Sequence, residues 1–116
     1  SSWRPPARRW PKDKEARRHP GALAVDIMRL GQTVDGDRRW LDVERHFNGK
    51  IGVETCGPHA APPRPATAKA QELRTIFCTA AQQRLFTSML SPNYNQPHFN
   101  HFHLEITPNV KWQLVR

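Results

Sequence analysis

At 116 residues, with 37% hydrophobic positions, eleven prolines and a mean hydropathy of −0.75, the chain is sized for one small, loop-rich domain. No apolar run approaches the roughly 20 residues of a membrane span, which excludes a transmembrane helix. Eighteen Lys and Arg against ten Asp and Glu give a net charge of +8. That balance suits nucleic acid, an anionic membrane surface or an anionic wall polymer, but no RNA- or DNA-binding motif accompanies it, which argues against nucleic acid.

The chain begins "SSWRPPARRW", without an initiator Met and without an apolar signal-peptide core, as expected of a mature or trimmed product. Residues 1–18 carry seven Lys and Arg opposed by Asp13 and Glu15, and Pro5, Pro6 and Pro11 punctuate them. They read as an extended basic arm, with a solvated tail as the plain alternative to a polymer-binding one, leaving residues 19–116 as the domain. After "HPG", the run "ALAVDIMRL" predicts a strand over Leu23 to Met28. Asp35-Gly36 marks a hairpin turn into "WLDVERHF", and Asn48-Gly49 marks a second turn.

The proline-rich stretch "GPHAAPPRPA" over 57–66 cannot be regular structure. "TAKAQELRTIFCTAAQQRLF" is the clearest helix, with Thr67 as its N-cap and Leu73, Ile76, Phe77, Ala80 and Ala81 on its apolar face. Strand-like segments follow at "FTSML", "HFHLEI" and "KWQLV". The outline is α+β, a small, mainly antiparallel sheet with one principal helix and long loops. Cys56 and Cys78 lack the CxxC spacing of a zinc ribbon or redox pair. A disulfide between them, closing a loop of about 20 residues for roughly 3 kcal/mol, is favoured over two buried thiols and implies an oxidising, extracytoplasmic setting.

Three of the six histidines fall in "QPHFNHFHLEI". On a strand, His101, His103 and Glu105 point one way and Phe102, Leu104 and Ile106 the other. The polar row would be costly to bury without partners. In "HPGALAVDI", Ala22, Ala24 and Asp26 likewise share a face opposite Leu23, Val25 and Ile27, and Gly21 allows His19 to turn back toward Asp26. Two imidazoles and a carboxylate with an open fourth position make a catalytic zinc set.

This order of motifs, H-x6-D at 19–26 and H-x2-H-x-H at 98–103 with "SPNYNQPHFNHFHLEI", resembles the lysostaphin, D-alanyl-D-alanine metallopeptidase and hedgehog group of zinc proteins. Within it the chain is similar to the extensin-like C-terminal domain family from about His19 to Ile106, and to penicillin-insensitive murein endopeptidases at both motifs. The resemblance implies a hedgehog/D-Ala-D-Ala-peptidase-like fold, with His19, Asp26 and His103 as Zn2+ ligands, His101 as the catalytic or transition-state-stabilising histidine, and His98 as a further active-site histidine. Arg17 and Asn100 stand where related motifs often carry Ser and an acid. Glu105 either holds a ligand's second nitrogen or is a plain surface carboxylate, the latter favoured. Arg18, Tyr94, and with them Arg17, Arg38, Trp3, Trp10 and Trp40, are candidates to face substrate, although packing explains most aromatics. His46, at a strand end, and His59 read as ordinary exposed histidines.

The implied activity is zinc-dependent hydrolysis of an amide bond in the peptide part of peptidoglycan, by a D,D- or L,D-type peptidase or endopeptidase outside the cytoplasm. A zinc-containing wall-binding module without turnover and a metal-free basic adaptor for an anionic polymer are the competing expectations.

Overall fold

The structure, a computed structural model, describes Ser2–Arg4 and residues 23–116. His19, Arg17, Arg18, Trp10 and the remainder of the basic arm lie outside the described residues. A five-stranded sheet runs in the order β1 (Ser2–Arg4), β2 (Leu23–Ile27), β6 (Phe102–Ile106), β5 (Ser88–Leu90), β7 (Leu114–Val115). Neighbours are antiparallel except β5 and β7, which are parallel. A separate hairpin pairs β3 (Arg29–Val34) with β4 (Asp37–Asp42). The described residues also form two α-helices, α1 (Val43–His46) and the 15-residue α2 (Ala68–Gln82).

The α+β architecture is therefore as expected, with one principal helix. The hairpin turns where Asp-Gly predicts it: Asp35 and Gly36 both take positive φ, at 51° and 84°, as a tight two-residue turn of that hand requires. The expected continuation of that strand through "WLDVERHF" does not occur. Asp42 instead caps α1, its side chain accepting from the Arg45 N–H, and the chain bends into the core at Val43. The Val43 N–H donates to the Met28 carbonyl, closing the base of the hairpin.

Helix α2 begins at the predicted cap, the Thr67 hydroxyl accepting from the Ala70 N–H at 3.1 Å, worth about 1 kcal/mol. Its buried face is Ala70, Leu73, Phe77 and Ala81. Ile76, expected on that face, is 41% exposed; the stripe runs i, i+3, i+7, i+11 from Ala70 and turns Ile76 outward. Phe77 packs on Phe102 of β6 with ring centroids 4.9 Å apart, and Phe47 meets the same ring edge-on. With Leu41, Val43, Met89 and Leu104 these form the core between helix and sheet, each fully buried large side chain contributing roughly 1.5–3 kcal/mol. The sheet thus presents one face to α2 and leaves the other for Asp26, His103 and Glu105.

Cys56 and Cys78 form the disulfide, tying the loop before the proline-rich segment to the middle of α2. Twenty-two positions separate them. Replacing both by alanine is expected to lower stability by about 3 kcal/mol through the freed denatured chain, read as a shift of the denaturant midpoint. An unchanged midpoint would contradict that anchoring role.

Candidate metal and histidine site

Strands β2 and β6 pair in the register Leu23↔Ile106, Ala24↔Glu105, Val25↔Leu104, Asp26↔His103 and Ile27↔Phe102. Both predicted parities are realised in that ladder. Val25 and Ile27 lie against Leu104 and Phe102 on the core face, and Asp26 lies beside His103 on the other. Residues 77 positions apart in the chain are thereby brought into contact: His103 Nδ1 lies 2.8 Å from Asp26 Oδ1. The far ring nitrogen, Nε2, lies 3.4 Å from Glu105 Oε1. Glu105 is not a plain surface carboxylate, since its side chain is only 13% exposed and faces the ring of His103.

His101 stands just before β6, with Nε2 3.9 Å from Asp26 Oδ1 and Nδ1 2.7 Å from Asn100 Oδ1. His98 ends a 3₁₀ turn, Gln96–His98, and its Nδ1 lies 2.6 Å from Asn95 Oδ1. Its ring is 5.1 Å from that of His101 and 5.8 Å, edge-on, from that of His103. Half-exposed Tyr94 covers His98 from the other side at 5.4 Å. Three imidazoles and the Asp26 carboxylate therefore share one patch, with Asp26 and His103 on the sheet face turned away from α2.

The segment carrying Tyr94 and Asn95 is held by a buried polar hub. Asn93, 1% exposed, accepts from the Lys50 N–H at 2.9 Å and donates to Thr55 Oγ1 at 3.0 Å. Ser91 Oγ lies 2.7 Å from Thr55 Oγ1, accepts from the Asn93 N–H and donates to the Arg116 carbonyl. Gly49 is required beside this hub, because a Cβ there would collide with Asn93 Oδ1. A cavity of about 1050 Å³ adjoins the patch at Tyr94 and has none of the three histidines in its lining. Cys56, Cys78, Arg84, Gln113 and Tyr94 line it, and Tyr94 is the wall it shares with His98.

Among the described residues, no three His, Cys, Asp or Glu side chains are arranged to hold a metal ion. His19, the third expected ligand, lies outside them. The two described members, an imidazole nitrogen and a carboxylate oxygen, fit a shared ion in donor type. Two donors on a tetrahedral zinc at 2.0–2.1 Å stand ~3.3 Å apart, so the 2.8 Å pair must open slightly as the bridging proton is displaced. Glu105 is placed to retain the Nε2 proton when Nδ1 gives up its own.

Other candidates fall elsewhere. Trp40, 43% exposed, sits on the hairpin between the guanidinium groups of Arg29 and Arg38, each 4.9 Å from its ring. His59 is exposed, as expected. His46 is half-buried in α1, its Nδ1 accepting from the Asp42 N–H at 2.9 Å, a structural role in place of the expected exposure on a strand end. Asn95 was missed; its only sequence signal is its spacing of three before His98.

The two best-connected imidazoles are pushed in opposite directions. The hydrogen bond that His103 donates to Glu105 raises its pKa, burial opposes it, and the Asp26 contact raises it further. Burial lowers that of His98, helped by the like charges of His101 and His103 and opposed by Asp26. The folded chain thus favours protonated His103. Its contribution to stability is full below about 6.5, the ordinary imidazole value, and is lost as pH rises through the raised native value. An NMR titration with chelator present is expected to show His98 titrating below His103, with Glu105→Gln lowering His103. The reverse order, or no response to Glu105→Gln, would contradict these couplings.

No curated protein and no solved structure matches the chain at a significant level. The family described as "Extensin-like protein C-terminus" matches residues 7–116, from the basic arm through both motif-bearing strands to the last residue. The chain belongs to the extensin-like protein C-terminus family.

Proposed function

We propose that the chain is a zinc-dependent metallopeptidase hydrolysing an amide bond in the peptide part of peptidoglycan, of the lysostaphin, D-alanyl-D-alanine metallopeptidase and hedgehog type. The observation that carries this reading is the meeting of Asp26 and His103 across adjacent strands, with His101 and His98 beside them. A structural ion pair would need neither the second nor the third imidazole beside it.

Asp26 Oδ1 and His103 Nδ1 would hold the ion together with His19. The chemistry a zinc ion supplies when bound is Lewis acidity, which makes a water more acidic and polarises the scissile carbonyl. Hydrolysis adds water across the C–N bond, the hydroxyl going to the carbonyl carbon and the proton to the departing amine. His101, 3.9 Å from Asp26, is placed to accept the water's proton or to stabilise the developing oxyanion. His98, its pKa lowered chiefly by burial, is placed to relay a proton to the amine. The adjoining cavity gives a peptide strand room to run past Tyr94. The net charge of +8 matches the free carboxylates of stem peptides, and the disulfide suits a periplasmic or secreted location.

Asn100, where related motifs carry an acid, favours one rival: a zinc-binding wall module without turnover. Purified peptidoglycan incubated with the chain is expected to release new amino termini, and His101→Ala to slow that release about 10²–10⁴-fold while zinc content is unchanged. Zinc-replete wild-type protein that releases nothing would leave only the binding module. Wild-type protein that binds no zinc would leave only the basic adaptor.

A further inference from the structure

We propose that Asn95 and Asn100 are positioning residues that fix the tautomers of His98 and His101, placing the proton of each neutral ring on Nδ1 and the lone pair on Nε2. In both contacts the asparagine presents its side-chain carbonyl oxygen to Nδ1, at 2.6 Å for Asn95–His98 and 2.7 Å for Asn100–His101. A carbonyl oxygen only accepts, so the ring nitrogen facing it donates. Nε2 is then the basic nitrogen; in His101 it lies 3.9 Å from Asp26 Oδ1, beyond hydrogen-bond distance, so the 2.7 Å Asn100 contact is the nearer constraint on the proton. An unconstrained imidazole favours the opposite tautomer, with the proton on Nε2.

The backbone around Asn95 explains why its side chain is available. Asn95 occupies the N-cap of the 3₁₀ turn, with extended φ and ψ of −164° and 173°. An asparagine there ordinarily spends its side-chain oxygen on a backbone N–H of the first turn. This one makes no such bond; the His98 N–H goes to the Asn95 backbone carbonyl at 3.1 Å instead. The amide oxygen instead reaches the edge of the His98 ring three residues on, at Nδ1. Asn100 reaches the same nitrogen of the next histidine from the adjacent position. Two different local geometries thus deliver the same contact to neighbouring rings.

His103 is treated differently, since its Nδ1 faces Asp26 and its Nε2 faces Glu105. The three imidazoles therefore differ at Nδ1, which meets a carboxylate in His103 and an amide oxygen in His98 and His101. An amide sets a tautomer without adding a charge of its own. Any catalytic consequence rests on the peptidase reading; the tautomers themselves do not.

The test is ¹⁵N NMR of the imidazoles in the purified chain at pH 8.5, where the rings are neutral and the long-range proton couplings identify the protonated nitrogen. His98 and His101 are expected in the Nδ1–H form in wild type. Asn95→Asp, which can accept but not donate, is expected to keep His98 in that form, and Asn95→Leu to switch it to Nε2–H while His101 stays as it was. Asn100→Asp and Asn100→Leu are expected to do the same to His101. Wild-type rings in the Nε2–H form, or a Leu variant that leaves the tautomer unchanged, overturn the proposal, and the wild-type spectrum decides it even if a Leu variant does not fold. If peptidoglycan turnover is found, the Leu variants are expected to lower kcat more than they raise KM, with rescue by Asp. If none is found, the tautomer result stands independently of that failure.

Discussion

The ladder between β2 and β6 sets Asp26 directly across from His103, and the chemistry assigned to the site depends on that one register. A slip of β2 by a single residue would turn Asp26 to the helix-facing side and part it from His103. What prevents the slip is the opposite face of the same strands, where Val25 and Ile27 pack with Leu104 and Phe102 in the core under α2. Burial of those apolar groups thus aligns the polar ones. A carboxylate removed from water is costly unless it is paired, and Asp26 meets that requirement through the ring it faces.

The second support is the loop that brings Tyr94 and Asn95 to His98. It is anchored on one side by the Asn93–Thr55–Ser91 hub and on the other by the 3₁₀ turn. Leaving any buried member of such a hub without a partner costs about 1–3 kcal/mol, so the loop is held as firmly as a strand would be. The disulfide holds the loop bearing Thr55 to α2, linking the hub to the main core. One end of the patch is therefore fixed by sheet register and the other by buried hydrogen bonds.

Much of this was legible because period-two alternation with one apolar face leaves little choice of side. "HFHLEI" and "ALAVDI" each carried that pattern, and the Thr67 cap and Asp35-Gly36 turn carried equally local signals. Features decided by tertiary competition were not legible. "WLDVERH" continues a strand pattern, yet Asp42 caps a helix, because Val43 is buried against the core and the chain must turn inward. Ile76 matched a helical face that the sheet does not cover. Strand β1, three residues between a terminus and prolines, has no pattern long enough to read. Asparagine is so common in turns that Asn95 and Asn100 carry no mark of the rings they touch until the turn geometry is known. How far the arm and His19 complete the patch falls outside the described residues.

Zinc-edge X-ray absorption of the purified chain loaded with one equivalent of zinc tests the pairing of Asp26 and His103 as a metal site most directly. The expected spectrum has about four nitrogen and oxygen neighbours at ~2.0–2.1 Å with the outer scattering of imidazole, collapsing to the pattern of the hydrated ion in the Asp26→Asn, His103→Ala double variant. Zinc that binds the double variant with the same neighbours, or wild-type protein that leaves the ion fully hydrated, would contradict it.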